Sequence, residues 1–258
     1  MIPRWSLWAT AGGTAVSAAA LTWTELTLPG QPLLSDYALV AGGLVPVLVG
    51  MLALAGACLS LAYGLAVADP ARTAATRVLL LAGAAGLMLS AVFPTDPGTS
   101  QVGTLAGEIH RWSAAVVFTA LPVAGWTFAR GRAAAARWNA VRAMSVTAAV
   151  TLAAYLAAHP ATVTSPLING AAYYGPLERA VVLAEMVLLV TMALAAVTRR
   201  ATARATATPA VSAHAQPAPT RSAPARSAPA RSAHAQPAPA GDAPCEDAAA
   251  EGAPGLAA

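Results

Sequence analysis

The sequence predicts an all-α integral membrane protein: a polytopic bundle of six transmembrane helices followed by a disordered carboxyl-terminal tail. Of the 258 residues, 57% are hydrophobic and only 10% are charged, a balance typical of membrane proteins. Six apolar stretches have about the length that a helix needs to cross ~30 Å of hydrocarbon. The arginines are also distributed unevenly between the segments that join these stretches, as expected for a chain that crosses a bilayer repeatedly.

The apolar stretches define the six predicted helices in chain order. The third and the fifth are short for a bilayer span, but the charge distribution described below fails if either is omitted. Pro46 and Pro122 lie within the second and fourth stretches and predict bends there. The predicted spans are residues 5–26, 38–67, 78–93, 112–129, 143–158 and 180–197.

Arginine carries the topology signal, because the chain contains no lysine and its 15 basic residues are all arginine. With the amino terminus in the cytoplasm, only Arg111 and Arg179 fall on the outer side. This bias predicts a multi-pass protein of the plasma (cytoplasmic) membrane with both termini cytoplasmic. The lipid bilayer is the expected partner, nucleic acid is not, and the oligomeric state remains open. The cytoplasmic arginines that border the spans are Arg4, Arg72, Arg77, Arg130, Arg132, Arg137, Arg142, Arg199, Arg200 and Arg204, and three more lie in the tail, Arg221, Arg226 and Arg231.

Composition divides the chain into a transmembrane domain, residues 1–200, and a cytoplasmic tail, residues 201–258. The tail is rich in Ala, Pro, Ser and Arg, and residues 212–219 recur unchanged as 232–239. Such a segment has too much proline for a helix and too few bulky side chains for a core, so we expect it to be disordered. The first apolar stretch exceeds the hydrophobic region of a cleavable signal, so we expect it to remain as a span.

Polar residues gather on the predicted outer side. Asp96 lies in a Pro-flanked turn, where a structural role as turn former is equally consistent with its type. His110 opens the fourth span and His159 ends the fifth, and each suits either a ligand site or a structural hydrogen bond. Glu178 and Glu185 are seven residues apart and therefore share one helical face. An ionisable group inside a span is costly facing lipid, so Glu185 should face the bundle and find a donor such as Arg179, Arg111 or a hydroxyl.

Motifs of familiar enzymes and transporters are missing from the sequence. It contains no Gly-rich phosphate loop followed by lysine, no Gly-x-Ser-x-Gly and no His-Glu-x-x-His. The acids and histidines show no metal-ligand spacing, so no metal site is predicted and the cofactor requirement is unknown. Cys58 lies in an apolar stretch and Cys245 in the tail, so no disulfide is expected. Composition and motifs therefore leave enzyme and transporter both open.

Several of these residues together resemble a family pattern. Ser35-Asp36-Tyr37, Phe93-Pro94-Thr95-Asp96-Pro97, Gly107 with His110, and Glu178-Arg179 are similar to the bacterial membrane family described as domain of unknown function 998. The resemblance covers residues 5–197 and implies a six-helix membrane domain without an assigned activity. It also implies one outward-facing site. The residues it carries are Asp36, Asp96, His110, Glu178 and Arg179; it does not carry the additional candidates His159 and Glu185.

Three functions agree with this pattern. The first is an outward-facing polar pocket that binds a small polar ligand, a cation or a lipid headgroup, for transport or sensing. The second is an intramembrane enzyme acting on lipid, metal-dependent or not, with His110 as general base or metal ligand and the carboxylates orienting water or metal. The third is a structural or partner-binding membrane subunit. The sequence alone does not decide whether the protein is an enzyme.

Overall fold

Six long helices make up the part of the chain that the structure, a computed structural model, describes. That part comprises residues 2–96, 103–158 and 170–197, with the side chains of residues 170–172 left out. The predicted tail and His159 lie outside the described residues. The described ranges are helical and contain no strand, so the all-α prediction is confirmed. The helices are α1 (Arg4–Thr27), α2 (Leu44–Ala68), α3 (Ala74–Val92), α4 (Leu105–Ala129), α5 (Ala136–Ala157) and α6 (Gly170–Val197), with a 3-10 helix, Ser35–Leu39, between α1 and α2.

The surface of the bundle is suited to lipid. The five helices α2 to α6 are long and apolar enough to cross a membrane. Large apolar side chains stay exposed along them, among them Val45, Leu81, Val123 and Leu183. A soluble protein rarely leaves so much apolar surface uncovered, whereas lipid chains cover it without cost. The chain is therefore a multi-pass membrane protein.

Helix α1 is not among these five, and its buried face consists of Ser and Thr. Its 24 residues extend over about 36 Å, enough to cross a bilayer. Trp5, Trp8 and Trp23 are exposed on its other face. The polar residues thus face the bundle and the apolar ones face outward, as in a membrane helix. That α1 crosses the membrane remains a prediction. Its buried residues are Ser6, Thr10, Thr14, Ser17 and Thr24.

The helices pack in chain order, and α6 closes the bundle by contacting α1, α2 and α4 in addition to α5. Small residues allow close approach between neighbours. A side chain at Gly13 of α1 would collide with the carbonyl of Ala53 in α2, and one at Gly86 of α3 with the carbonyl of Ser113 in α4. The centre is filled by the fully buried leucines Leu61, Leu80, Leu121 and Leu188.

The helices begin earlier than hydropathy predicts, with one exception. Helix α4 begins at Leu105 rather than at residue 112, α5 at Ala136 rather than at 143, and α6 at Gly170 rather than at 180. Hydropathy detects only the apolar part of a helix, whereas backbone hydrogen bonds continue into the polar layer. Helix α2 is the exception, because Gly42 adopts a left-handed φ of 84° and separates it from the 3-10 helix.

The two prolines predicted to bend helices occupy different positions. Pro122 lies inside α4, as expected. Pro46 lies in the first turn of α2, which starts at Leu44. A residue in the first turn has no backbone N–H bond to lose, so Pro46 gives no reason for a bend.

Candidate functional site

The polar residues of the predicted outer side meet at one end of the bundle, which we call the carboxylate end. Glu25, Asp36, Asp96 and Glu178 form it, where α1 and α3 end and where α4 and α6 begin. Consecutive helices alternate in direction, so residues far apart in the sequence become neighbours here. We call the opposite end the arginine end; it carries Arg72, Arg77, Arg130, Arg132, Arg137 and Arg142.

Each guanidinium nitrogen of Arg179 donates a hydrogen bond at the carboxylate end. Its Nε lies 2.6 Å from Glu25 Oε1, and its other nitrogens donate to the carbonyls of Pro32 and Gln31, each at 3.0 Å. The hydroxyl of Tyr37, a completely buried side chain, donates to the second oxygen of Glu25 at 3.2 Å. Arg179 thus ties α1, the segment that follows it and α6 together.

Two further acids hold the same connecting segment. Glu178 is buried, and its Oε2 accepts the backbone N–H of Leu34 at 2.6 Å. Asp36 is also buried, and its Oδ2 accepts the N–H of Leu33 at 3.3 Å. Burial raises the pKa of Asp36, against the opposing effects of the Leu33 N–H and the nearby His110 and Arg179. Both carboxylates therefore fix the backbone that leads into the 3-10 helix.

Asp96 organises the start of α4. Its carboxylate accepts hydrogen bonds from the Thr104 hydroxyl at 2.7 Å, from the Thr104 N–H at 3.1 Å and from the Gly103 N–H at 2.9 Å. These bonds, those of Thr104 foremost, lower the pKa of Asp96. Thr104 in turn caps α4 by accepting the N–H of Gly107 at 3.1 Å. A Cβ at Gly107 would overlap the Asp96 carboxylate, so a larger residue there would displace this side chain.

His110 is oriented by the end of α3. Its Nδ1 lies 2.9 Å from the carbonyl of Phe93 and 3.1 Å from that of Ser90. Carbonyl oxygens only accept, so Nδ1 must carry the proton and donate. In the neutral ring, Nε2 then keeps a lone pair. The ring is buried and lines the cavity described next.

A cavity of about 310 Å³ opens among the helices at the carboxylate end. Volumes of this size are found in small-molecule sites. Towards that end its lining includes Asp96, His110, Arg111 and Glu178. Deeper in the bundle the walls are mostly apolar, with Leu54, Leu87, Val117, Phe118, Leu152 and Val182.

Two tyrosines and one arginine also belong to the polar part of the lining. Tyr155 of α5 and Tyr174 of α6 stack with ring centroids 4.5 Å apart, and the Tyr155 hydroxyl donates to that of Tyr174 at 2.7 Å. Arg111 is exposed and makes no hydrogen bond or ion pair with another described residue. Ser17 of α1 and Glu185 of α6 also line the cavity, and they lie deeper in the bundle.

Comparison with known proteins identifies the family. A family model described as "Protein of unknown function (DUF998)" matches residues 4–195. The chain belongs to the DUF998 family. Neither a curated protein nor a solved structure matches it. Since the family description carries no activity, the function of this DUF998 chain must be argued from the geometry of its site.

The DUF998 pattern residues separate into two groups in the structure. Asp96, His110 and Glu178 line the cavity together with Glu185, which the pattern does not carry. Asp36 and Arg179 do not line it but hold the backbone that surrounds it. Among the described residues, no group of three or more His, Cys, Asp or Glu side chains is suited to hold a metal ion. Four lining residues were not predicted as site residues from the sequence: Ser17, Arg111, Tyr155 and Tyr174. Of these, only Arg111, an outer arginine beside His110, has a sequence signal that could have indicated it.

Proposed function

We propose that this membrane protein binds an amphiphile with an anionic headgroup, such as a fatty acid or a lysophospholipid, in the cavity at the carboxylate end. The observation that supports this most strongly is the guanidinium of Arg111, which has no partner among the described residues and lies on the lining of a cavity whose deeper walls are apolar. An amphiphile matches both parts at once. Its headgroup would meet Arg111, and its chain would lie among the leucines and valines of the bundle.

The charges around the cavity favour an anion over a cation. Arg179 neutralises Glu25, while Asp96 and Glu178 accept backbone or hydroxyl hydrogen bonds. At the mouth of the cavity, Arg111 is a fixed charge that lacks such a partner among the described residues, whereas Glu185 lies deeper. A guanidinium binds carboxylate and phosphate groups through paired hydrogen bonds, so a ligand of that class would satisfy it.

The arginine distribution supports an orientation for this site. With the arginine end in the cytoplasm, the carboxylate end faces outward and both termini are cytoplasmic. In the plasma membrane the cavity would then receive its ligand from the outer leaflet or from the outside. Binding there would serve transport or sensing.

The binding proposal is tested by matched ligands. A fluorescent fatty acid bound to the purified chain would be displaced by a lysophospholipid with an anionic headgroup or by an uncharged monoacylglycerol of the same chain length. Arg111→Gln should weaken the anionic competitor by about 10-fold or more, because a charge-assisted hydrogen bond contributes roughly 1.5–3 kcal/mol. The uncharged competitor should keep its affinity.

Arg130→Gln is the matched control, since Arg130 is an exposed arginine at the other end of the bundle. It should change neither affinity. Equal losses for both competitors in Arg111→Gln, or no loss at all, would contradict an anionic headgroup site.

A second candidate, hydrolysis of a bound lipid, is favoured by the orientation of His110. With Nδ1 donating to Phe93 and Ser90, Nε2 is the nitrogen that remains to accept a proton from water. Release of a free fatty acid or headgroup from a labelled lipid during the same binding assay would favour the enzyme.

A further inference from the structure

Glu185 is an unsatisfied carboxyl group inside the bundle. Its side chain lies in α6 and is 1% exposed, and its Oε1 has no hydrogen-bond partner in the described part of the chain. The sequence predicts Arg179, Arg111 or a hydroxyl as its donor, and none of these bonds to Oε1 in the described part of the chain; Arg179 is paired with Glu25. A buried polar group without a partner is costly, and inside a membrane it marks a functional position by default.

Ser17 of α1 repeats this pattern on the facing helix. It is completely buried, and its Oγ has no partner among the described residues. The other buried threonines of α1 behave differently: Thr10, Thr14 and Thr24 each donate to a carbonyl one turn earlier in the same helix. The hydroxyl of Ser17 therefore differs from those of these threonines, because it makes no hydrogen bond to a described residue.

The pair of Glu25 and Arg179 places these two groups at a similar depth. Because that ion pair joins α1 to α6, it marks one level of the bundle. Ser17 precedes Glu25 by eight residues, about 12 Å along α1, and Glu185 follows Arg179 by six residues, about 9 Å along α6. Both line the cavity. Two unsatisfied hydrogen-bonding groups therefore lie about 10 Å deeper in the bundle than this ion pair.

We infer that Glu185 and Ser17 form a second polar subsite, which binds an uncharged hydrogen-bonding group, a hydroxyl or an amide, on the chain of the ligand. The inference rests on the proposed function and specifies its ligand as an amphiphile that is polar at two points. A hydroxyl donates and accepts at once, so it can bond both to the carboxyl group of Glu185 and to the hydroxyl of Ser17. Leu54 and Val182 on the surrounding walls disfavour a charged group in this position.

The subsite is tested with pairs of ligands that differ by one hydroxyl. Medium-chain fatty acids and their ω-hydroxy counterparts of equal length, over a series of lengths, would displace a fluorescent fatty acid from the full chain. At the length that reaches the subsite, the hydroxyl should improve affinity by about 3- to 10-fold, the effect of one additional hydrogen bond. Glu185→Leu should abolish this preference, Glu185→Gln should retain most of it, and Ser17→Ala should reduce it.

A melting measurement without ligand distinguishes a binding role from a structural one. If Glu185 has no partner in the empty protein, Glu185→Leu should melt at or above the wild-type temperature, because it removes an unsatisfied buried group. A lower melting temperature would overturn the inference, as would equal affinities in the wild type or a hydroxyl preference that persists in Glu185→Leu.

The two proposals fail in different ways. If fatty acids do not bind, the proposed headgroup site is wrong. The deep subsite is then tested with uncharged competitors, a 1-alkanol and the α,ω-diol of equal length, against a neutral fluorescent lipid. A diol preference lost in Glu185→Leu would support the deep subsite by itself. Its absence would reject the subsite as well.

Discussion

At the scale of single residues, chemical type did not decide role. Arg111 and Arg179 are the two arginines of the predicted outer side, yet they differ in every contact. Arg179 bonds to Glu25 and to two backbone carbonyls. Arg111 lines the cavity and bonds to none of the described residues. The first is committed to structure and the second is available to a ligand. Hydrogen-bond partners, which depend on neighbouring elements, separate the two roles.

The hydrogen bonds that Asp96 accepts predict how the stability of the protein changes in acid. Its pKa is lowered from an ordinary 3.8 by the hydrogen bonds that it accepts, so its ionised form stabilises the fold. This stabilisation is present above the ordinary pKa and is lost as pH falls below it, through the lowered value in the folded state. As pH falls from about 4 to about 2.5, the melting temperature of the purified wild type should therefore fall more steeply than that of Asp96→Asn.

Thr104→Val provides the control for this comparison, because it removes the hydroxyl that contributes most to the shift. Its pH dependence should lie between those of the wild type and Asp96→Asn. Parallel melting curves for all three proteins across this range would show that the carboxylate does not stabilise the start of α4.

At the scale of elements, helix starts determine how the site is built. Helix α4 begins well before its apolar stretch, so His110 projects from an ordered second turn rather than from a loop. Thr104 caps that helix and Asp96 fixes Thr104. The turn that the sequence analysis assigned to Asp96 therefore also positions the histidine that lines the cavity.

Gly107 is the close contact on which this arrangement depends. Gly107→Ala would push a methyl group into the Asp96 carboxylate and should destabilise the protein by about 1–3 kcal/mol, as overpacking does. Thermal melting in detergent measures the effect.

Gly12→Ala in α1 is the matched substitution, because a Cβ there meets open space. It should raise stability by about 0.5–1 kcal/mol through the better helix propensity of alanine. Equal melting temperatures for the two variants would mean that Asp96 can move away from α4 without loss.

At the scale of the whole molecule, the open question is how the bundle sits in the membrane. Five helices are long and apolar enough to span a membrane. Helix α1 is also long enough, but its buried face carries Ser and Thr hydroxyl groups. If α1 also crosses, both termini share the side of the arginine end. The outer side then carries the cavity.

Cysteine labelling in intact cells tests this topology. In a Cys245→Ser background, where Cys58 is buried, Gly103→Cys should react with an impermeant thiol reagent and Ala134→Cys should not. Both positions are exposed, so protein burial does not explain a difference. A cysteine added before the first residue should also stay unlabelled if α1 crosses. Labelling at Ala134 but not at Gly103 would show that the protein has the opposite orientation in the membrane.

The sequence by itself determined the class of the protein, a helix at each predicted span and which polar residues share one end of the bundle. These depend on hydropathy and charge along the chain, which are local properties. It placed the helix starts poorly, because the ends of helices extend into the polar layer.

Only the tertiary structure decided which acid meets which arginine and which polar groups are left without a partner. Glu25 and Arg179 are separated by 154 residues, and nothing in the sequence near either one indicates the other. The same packing leaves Arg111, Ser17 and Glu185 on the lining of a single cavity. Partners and cavities depend on how distant helices pack together, so they cannot be predicted from each segment taken alone.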